Sequence, residues 1–375
     1  MKKAGLYIHI PFCKVKCIYC DFYSITKKED QIPLFTKCLL KEIDSYKHYA
    51  GKWTFDTIFF GGGTPSLLPA KYLEKILQKI HDTFHISKVK EITLEANPGE
   101  ASFQHLKDIK ELGVNRLSMG FQSFDDKILK ALGRLHKSEN CFKTFKNARK
   151  AGFDNINTDM IFNIPNLSID NWKKDLNKLL GLNPDHISAY SLTVEPSTML
   201  FNLVKNKKVL MPLEKTDIEQ YLSTYDILSN KGYNHYEISN YAKNGKECKH
   251  NLHYWRLSPY LSFGPSAHSY DLCKRWWNYR SLDNYISKIS NGLSPIEGEE
   301  ILNYKEKYNE VILNGLRLSK GIDLSTIRKQ YNGNFTNYIK MIRDKWDCLK
   351  VTKDSIRITK NGTLFVDEIS SDMFI

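Results

Sequence analysis

Between residues 5 and 200 the chain alternates short apolar runs with longer stretches of helical periodicity, which restricts it to repeated βα units around a parallel sheet. Six runs read as strands: Leu6 to Ile10, Thr57 to Phe60, Glu91 to Glu95, Arg116 to Met119, Asn155 to Ile161 and His186 to Tyr190. Helical spacing fills the gaps, as in Pro33 to Tyr46, Ala70 to Phe84, Phe103 to Leu112 and Asn140 to Gly152. Each gap is long enough for the crossover that parallel neighbours need. The fold class is α/β.

Sheets of this kind bind ligands at the carboxyl ends of their strands. Here five consecutive strands carry chemistry at or near that end. Cys13-Lys14-Val15-Lys16-Cys17-Ile18-Tyr19-Cys20 follows the first, and Gly61-Gly62-Gly63-Thr64-Pro65 follows the second. Glu95-Ala96-Asn97-Pro98 closes the third, Gly120-Phe121-Gln122-Ser123 follows the fourth, and Asp159 lies within the fifth. Turns explain glycines, but they do not explain Glu95 and Asp159 in apolar strand contexts, where a carboxylate needs a partner.

Of the eight cysteines, Cys13, Cys17 and Cys20 fall within eight residues, while Cys38, Cys141, Cys248, Cys273 and Cys348 are scattered. This pattern suits a metal site in a reduced cytosol better than a disulfide framework. Three thiolates leave one coordination position open. That fits a four-iron cluster with a free iron, or a structural zinc awaiting a fourth ligand, with chance clustering as the third alternative. No second Cys-x-x-Cys or Cys-x-x-His pair supplies a fourth zinc ligand.

A length of 375 residues leaves room for two or three domains, and no apolar run of about 18 residues is present to span a bilayer. The opening Met1-Lys2-Lys3 is followed by an apolar segment broken by His9 and Pro11, so it reads as the first strand and not as an export signal. The net charge of +13 is spread over the chain without a dense basic block, which favours a solvated lysine-rich surface over a nucleic-acid interface. After about residue 205 the βα rhythm fades. A helical stretch from Leu213 to Gly232 precedes the aromatic and histidine-rich Cys248-Lys249-His250-Asn251-Leu252-His253-Tyr254-Trp255. From about 301, short helices (Tyr304 to Leu318, Leu324 to Tyr331, Phe335 to Asp344) and a hairpin of Leu349 to Val351 with Ile356 to Ile358 read as a winged-helix-like module.

With its Tyr19 before the last cysteine, the Cys-x-x-x-Cys-x-x-Cys loop resembles the radical S-adenosylmethionine superfamily. Gly61 to Ser66, Leu94 to Pro98 and Ser118 to Ser123 resemble the oxygen-independent coproporphyrinogen III oxidase group within it. The resemblance implies a [4Fe-4S] cluster on Cys13, Cys17 and Cys20. Tyr7 and Tyr19 would then flank the cluster, Gly62, Gly63 and Thr64 would offer backbone to S-adenosylmethionine, Glu95 would engage the first such molecule, and Gln122, Arg134 and Asp159 would contact a first or second.

Two departures separate subfamilies. The oxidases carry a further cysteine two positions after the motif, where this chain has Phe22, and an amino-terminal extension, where twelve residues precede Cys13. His250-Asn251-Leu252-His253-Tyr254-Trp255 instead matches the His-Asn-x-x-Tyr-Trp pattern of HemW-type haem chaperones. A histidine can ligate haem iron while aromatic faces cover the macrocycle, so the resemblance makes His250 the haem ligand; for a lone histidine the competing reading is a hydrogen-bonded core residue.

The expected architecture is a partial (β/α)6 TIM-like barrel of the radical S-adenosylmethionine type over residues 1–205. A connecting and haem-contact region follows over 206–300, then a mainly helical, winged-helix-like region over 301–375. The expected function is a cytoplasmic haem chaperone, peripheral at the inner face of the membrane, that hands haem to membrane-bound respiratory proteins. Its cofactors would be the cluster, S-adenosylmethionine and haem, nucleic acid is not an expected partner, and oligomeric state stays open between monomer and homodimer. The enzymatic alternative is oxygen-independent coproporphyrinogen III dehydrogenase.

Overall fold

The structure, a computed structural model, describes every residue of the chain except Asn332. Its main sheet contains β1 (Lys3–Ile10), β2 (Thr54–Gly62), β3 (Glu91–Ala96), β4 (Arg116–Gln122), β5 (Ile156–Phe162) and β6 (His186–Ser191). Six further strands are β7 (Asn234–Glu237), β8 (Asn240–Ala242), β9 (Tyr260–Phe263), β10 (His268–Tyr270), β11 (Lys274–Asn278) and β12 (Ile296–Ile301). The order across the sheet is β12-β11-β10-β9-β1-β2-β3-β4-β5-β6-β8-β7. From β9 to β6 all neighbours run parallel; the strands beyond pair antiparallel. The two ends do not meet, so this is an α/β partial barrel, open at its margins.

Side chains alternate across each strand, and the sequence obeys that period. Leu6, Ile8 and Ile10 on β1, Ile58 and Phe60 on β2, Leu117 and Met119 on β4, and Ile156 and Met160 on β5 are buried in one apolar core. Helices α1 (Ile32–Ser45), α2 (Ala70–Thr83), α3 (Phe103–Glu111), α4 (Asp126–Ala131), α5 (Ser138–Lys150) and α6 (Ile169–Leu182) add their apolar stripes to it. Apart from the Tyr7 and Phe59 rings, the intervening strand positions are mostly polar or small. Thr57, Thr93, Ser118, Asn157 and Ser188 are buried, and Asn157 joins Ser118 Oγ, Asp159 and His186 across the interior.

Residues 206–300 do not leave the sheet; they supply all six strands from β7 to β12, at both of its margins. Helices α7 (Met199–Lys205), α8 (Glu214–Asn230), α9 (Lys249–Trp255) and α10 (Leu282–Ser290) accompany them. Beyond these, α11 (Tyr304–Gly315), α12 (Leu324–Arg328), α13 (Phe335–Lys345) and α14 (Val366–Asp372) enclose a second core around Tyr308, Ile312, Ile327, Ile356 and Ile369. A small antiparallel sheet, Ile322–Asp323 with Ser355–Ile358 and Leu349–Val351, completes it. This second core docks on the main sheet through the Arg275–Glu310 ion pair and the Ser319 N–H donating to Tyr236 O at 3.1 Å.

Candidate functional site

Strand ends β1 to β5 meet at one mouth. The glycine loop after β2 is tied to the cysteine loop by its backbone: Gly63 N donates to Ile10 O and Thr64 N to Phe12 O, both at 2.8 Å. A Cβ on Gly63 would stand 2.7 Å from Phe12 O, so glycine is what allows the two loops to touch. Gly62 has a φ of +106°, and a Cβ there would meet the His9 ring at 2.6 Å. Thr64 Oγ1 then lies 3.4 Å from Cys13 Sγ and accepts from Asn97 Nδ2 at 2.9 Å.

Cys13, Cys17 and Cys20 are free, partly buried thiols on this loop. Burial raises the Cys13 thiol pKa and pushes that of Cys20 up to about 11. Among the described residues no three Cys, His, Asp or Glu side chains converge on a single ion. A lone zinc draws its sulfurs to about 2.3 Å from one point, whereas a four-iron cluster takes each thiolate at a separate corner. Three thiols on one loop, with a fourth position left open, fit a four-iron cluster with one free iron.

Arg134, on the segment following α4, reaches into the mouth. Its Nη1 is 3.5 Å from Cys17 Sγ, and its Nη2 donates to Asn97 Oδ1 at 2.5 Å and Gly120 O at 2.8 Å. A surface arginine is thereby excluded. Tyr19 is packed against the core on the same loop, and burial raises its pKa. Two residues not singled out as site residues from the sequence stand here: Asn97, which bridges Thr64 and Arg134, and Arg116, a guanidinium 2% exposed at the foot of β4 whose charge acts on Glu95 and Asp159. Asn97 stood inside the Leu-Glu-Ala-Asn-Pro segment and Arg116 opened an apolar run; neither residue type signals burial.

Glu95 Oε2 accepts from Gly62 N at 3.2 Å. Burial, and then the Asp159 charge, push its carboxyl up to about 8. Burial also raises the Asp159 pKa, against hydrogen bonds from Asn157 at 2.7 Å and Ser118 at 3.4 Å. Gln122 is buried with a φ of +68°, and its Oε1 has no partner. An orphaned amide oxygen, two carboxyls that form no ion pair among the described residues, and a glycine cradle fit a polar, cationic ligand such as S-adenosylmethionine.

His250 sits elsewhere. Glu91 on β3 accepts from the backbone N–H groups of Lys249 and His250, both at 3.1 Å, and so fixes the start of α9. The His250 ring is 1% exposed, with Nδ1 2.9 Å from Thr57 Oγ1 and Nε2 2.9 Å from Tyr254 OH. Tyr7 and Phe59 lie against it at centroid distances of 6.3 and 5.1 Å, and it abuts Gly5, where a Cβ would meet it at 2.9 Å. Both nitrogens are engaged inside the barrel. Tyr254, one turn on, does reach a cavity of about 410 Å³, which Tyr7, Phe22, Tyr23, Tyr260 and His268 also line.

The family model described as the radical SAM superfamily matches residues 7–179, and the HemN C-terminal domain matches 302–365. The chain is 34% identical to the "Heme chaperone HemW" of Bacillus subtilis over 98% of each chain. It is 38% identical to that of Escherichia coli over 70% of this chain and 69% of the relative. Among solved structures, the Escherichia coli "Coproporphyrinogen III oxidase (HemN)" superposes over 100% of this chain and 90% of its own, with a TM-score of 0.86 at 21% identity, a likeness of fold.

Proposed function

This chain belongs to the HemW haem-chaperone family of the radical S-adenosylmethionine superfamily, and from that premise we propose that it binds haem and delivers it to membrane-bound haem proteins of respiration. The observation that carries this reading is the likeness, over nearly the whole chain, to a protein named a haem chaperone. In support, the second position after the cysteine motif holds Phe22, a side chain 70% exposed that can neither ligate iron nor donate a proton.

A [4Fe-4S] cluster would be held by Cys13, Cys17 and Cys20, and S-adenosylmethionine by Glu95, Gln122, Asp159 and the backbone of Gly62 to Thr64. When bound together, these groups supply one-electron chemistry on the sulfonium. The chain's part is to hold them. Arg134 steadies Cys17 and the β4 end at once, Glu95 and Asp159 offer negative charge that a cationic ligand would complete, and Tyr19 packs against the core beside the cysteines.

Delivery at a membrane needs a contact surface, and the loop between α7 and α8 supports one. Leu210 and Leu213 are 79% and 77% exposed, and the exposed Lys205, Lys207, Lys208 and Lys215 flank them. Apolar side chains set among lysines suit an anionic lipid surface. No helix of the described residues is long and apolar enough to cross a membrane.

Anaerobic reconstitution followed by haem titration, S-adenosylmethionine cleavage and a coproporphyrinogen assay on one sample tests the reading. The expected result is a haem Soret band without protoporphyrinogen formation. Absence of haem binding, or turnover of coproporphyrinogen, would overturn it.

A further inference from the structure

We propose that haem binds in the 410 Å³ cavity between the cysteine loop and strands β9 and β10, with the His268 imidazole as iron ligand and the Arg280 guanidinium as partner of a propionate. This rests on the haem-chaperone reading and gives it a site. The volume lies in the range of small-molecule pockets, about 300–1,000 Å³. The walls are aromatic, from Tyr7, Tyr23, Tyr254 and Tyr260, and the exposed Phe22 stands at the rim. Aromatic faces in an open cavity whose lining is polar and apolar in similar measure suit an amphipathic macrocycle.

The ligand follows from which nitrogen is available. Iron needs an imidazole lone pair facing the opening. His250 is buried with both nitrogens bonded. His9, also in this wall, is occupied by Tyr7 OH at 3.2 Å and Tyr23 O at 2.8 Å. His268 is exposed, opens β10, and lies against Trp277 with ring centroids 5.8 Å apart and planes 24° apart. No hydrogen bond among the described residues engages its ring, and partial desolvation with the Arg275 charge lowers its pKa. The competing tyrosines are disfavoured as phenolates, since burial raises Tyr254 and pushes Tyr260 up to about 12.

Arg280 is exposed on the same rim and donates to Asp21 O at 3.3 Å. No carboxylate among the described residues pairs with its guanidinium, whose fork matches a propionate. The one acidic side chain of the rim, Asp21, already accepts the Ser197 hydroxyl. Asp21, Phe22 and Tyr23 directly follow Cys20, so the haem cavity and the cluster loop share a wall. Occupancy of one site would then be felt at the other.

The experiment is haemin titration into the reconstituted full-length protein, wild type beside His268→Ala and Arg280→Gln. Both positions are exposed, so folding is not at stake; circular dichroism verifies it. His268→Ala is expected to lose the histidine-ligated Soret and visible bands and to bind about 10-fold or more weakly, a scale common for metal-site losses. Added imidazole should restore the spectrum. Arg280→Gln is expected to keep the spectrum while weakening affinity. If wild type binds haem and His268→Ala keeps both spectrum and affinity, the site is wrong while the chaperone reading stands. If wild type binds no haem, both fall.

Discussion

Arg134 Nη1 lies 3.5 Å from Cys17 Sγ, so the segment after α4 is fastened to the cysteine loop by a permanently charged donor. The same guanidinium spans Asn97 and Gly120. Such a fork stabilises a thiolate and sets the spacing of three strand ends at once.

Replacing Arg134 by lysine keeps the charge and removes the fork. Affinity for S-adenosylmethionine is expected to fall about 10-fold, with a smaller loss of iron per chain after reconstitution. Arg134→Ala should lower both further. Iron and sulfide analysis beside equilibrium dialysis separates the two effects, and unchanged values for Arg134→Lys would reduce the guanidinium to a bystander.

Glu95 gives a pH dependence whose sign is fixed by its burial. Its ordinary carboxyl pKa of 4.5 is raised to about 8 in the fold. The stability it contributes is therefore full below about 4.5 and is lost as pH rises through about 8, because the unfolded chain ionises first. A cationic ligand favours the carboxylate, so affinity for S-adenosylmethionine should climb up to about tenfold per pH unit below about 8 and then level. Glu95→Gln should flatten both curves. Parallel pH profiles in wild type and variant would exclude Glu95 as the coupled group.

The glycine cradle makes a sharper steric prediction. Gly63→Ala places a Cβ against the Phe12 carbonyl, and Gly62→Ala adds a strained φ to a clash with His9. Each should cost about 1–3 kcal/mol and reduce cluster loading, read by thermal unfolding and iron content. Gly51→Ala meets nothing within 4 Å and is the matched control.

His250→Ala removes a ring that satisfies Thr57 Oγ1 and Tyr254 OH. Stranding the buried Thr57 hydroxyl costs about 1–3 kcal/mol and emptying the ring's place in the core adds to it, so the denaturation midpoint should drop clearly. An unshifted midpoint would show that the ring is dispensable to the core.

Much of this was legible in the sequence because the period-two pattern of β1 to β6 and the glycine and cysteine spacings are local signals. Glu95 and Asp159 stood out as carboxylates in apolar runs, and the fold places both in the interior. The margin strands were not legible. Asn240–Ala242 and His268–Tyr270 are three residues long, rich in polar and aromatic side chains, and owe their extended form to neighbours far away in the chain. Likewise the hexapeptide at His250 announces aromatic density but not depth, since Glu91 on β3 with Asp56 and Thr57 on β2 draw that helix inward.

The α7–α8 loop supplies the last prediction. Fully burying a leucine is worth about 1.5–3 kcal/mol, and each lysine near an anionic leaflet adds about 1 kcal/mol. Leu210 and Leu213 stand out from the surface with four lysines beside them, and neither leucine supports the core. Leu210→Glu with Leu213→Glu should therefore leave thermal stability unchanged while reducing co-sedimentation with phosphatidylserine vesicles about 10-fold or more. Wild-type binding should weaken as salt rises, because the lysine contribution is screened. Neutral vesicles should retain far less of either protein. Equal sedimentation of wild type and the double variant would place any membrane contact on another face.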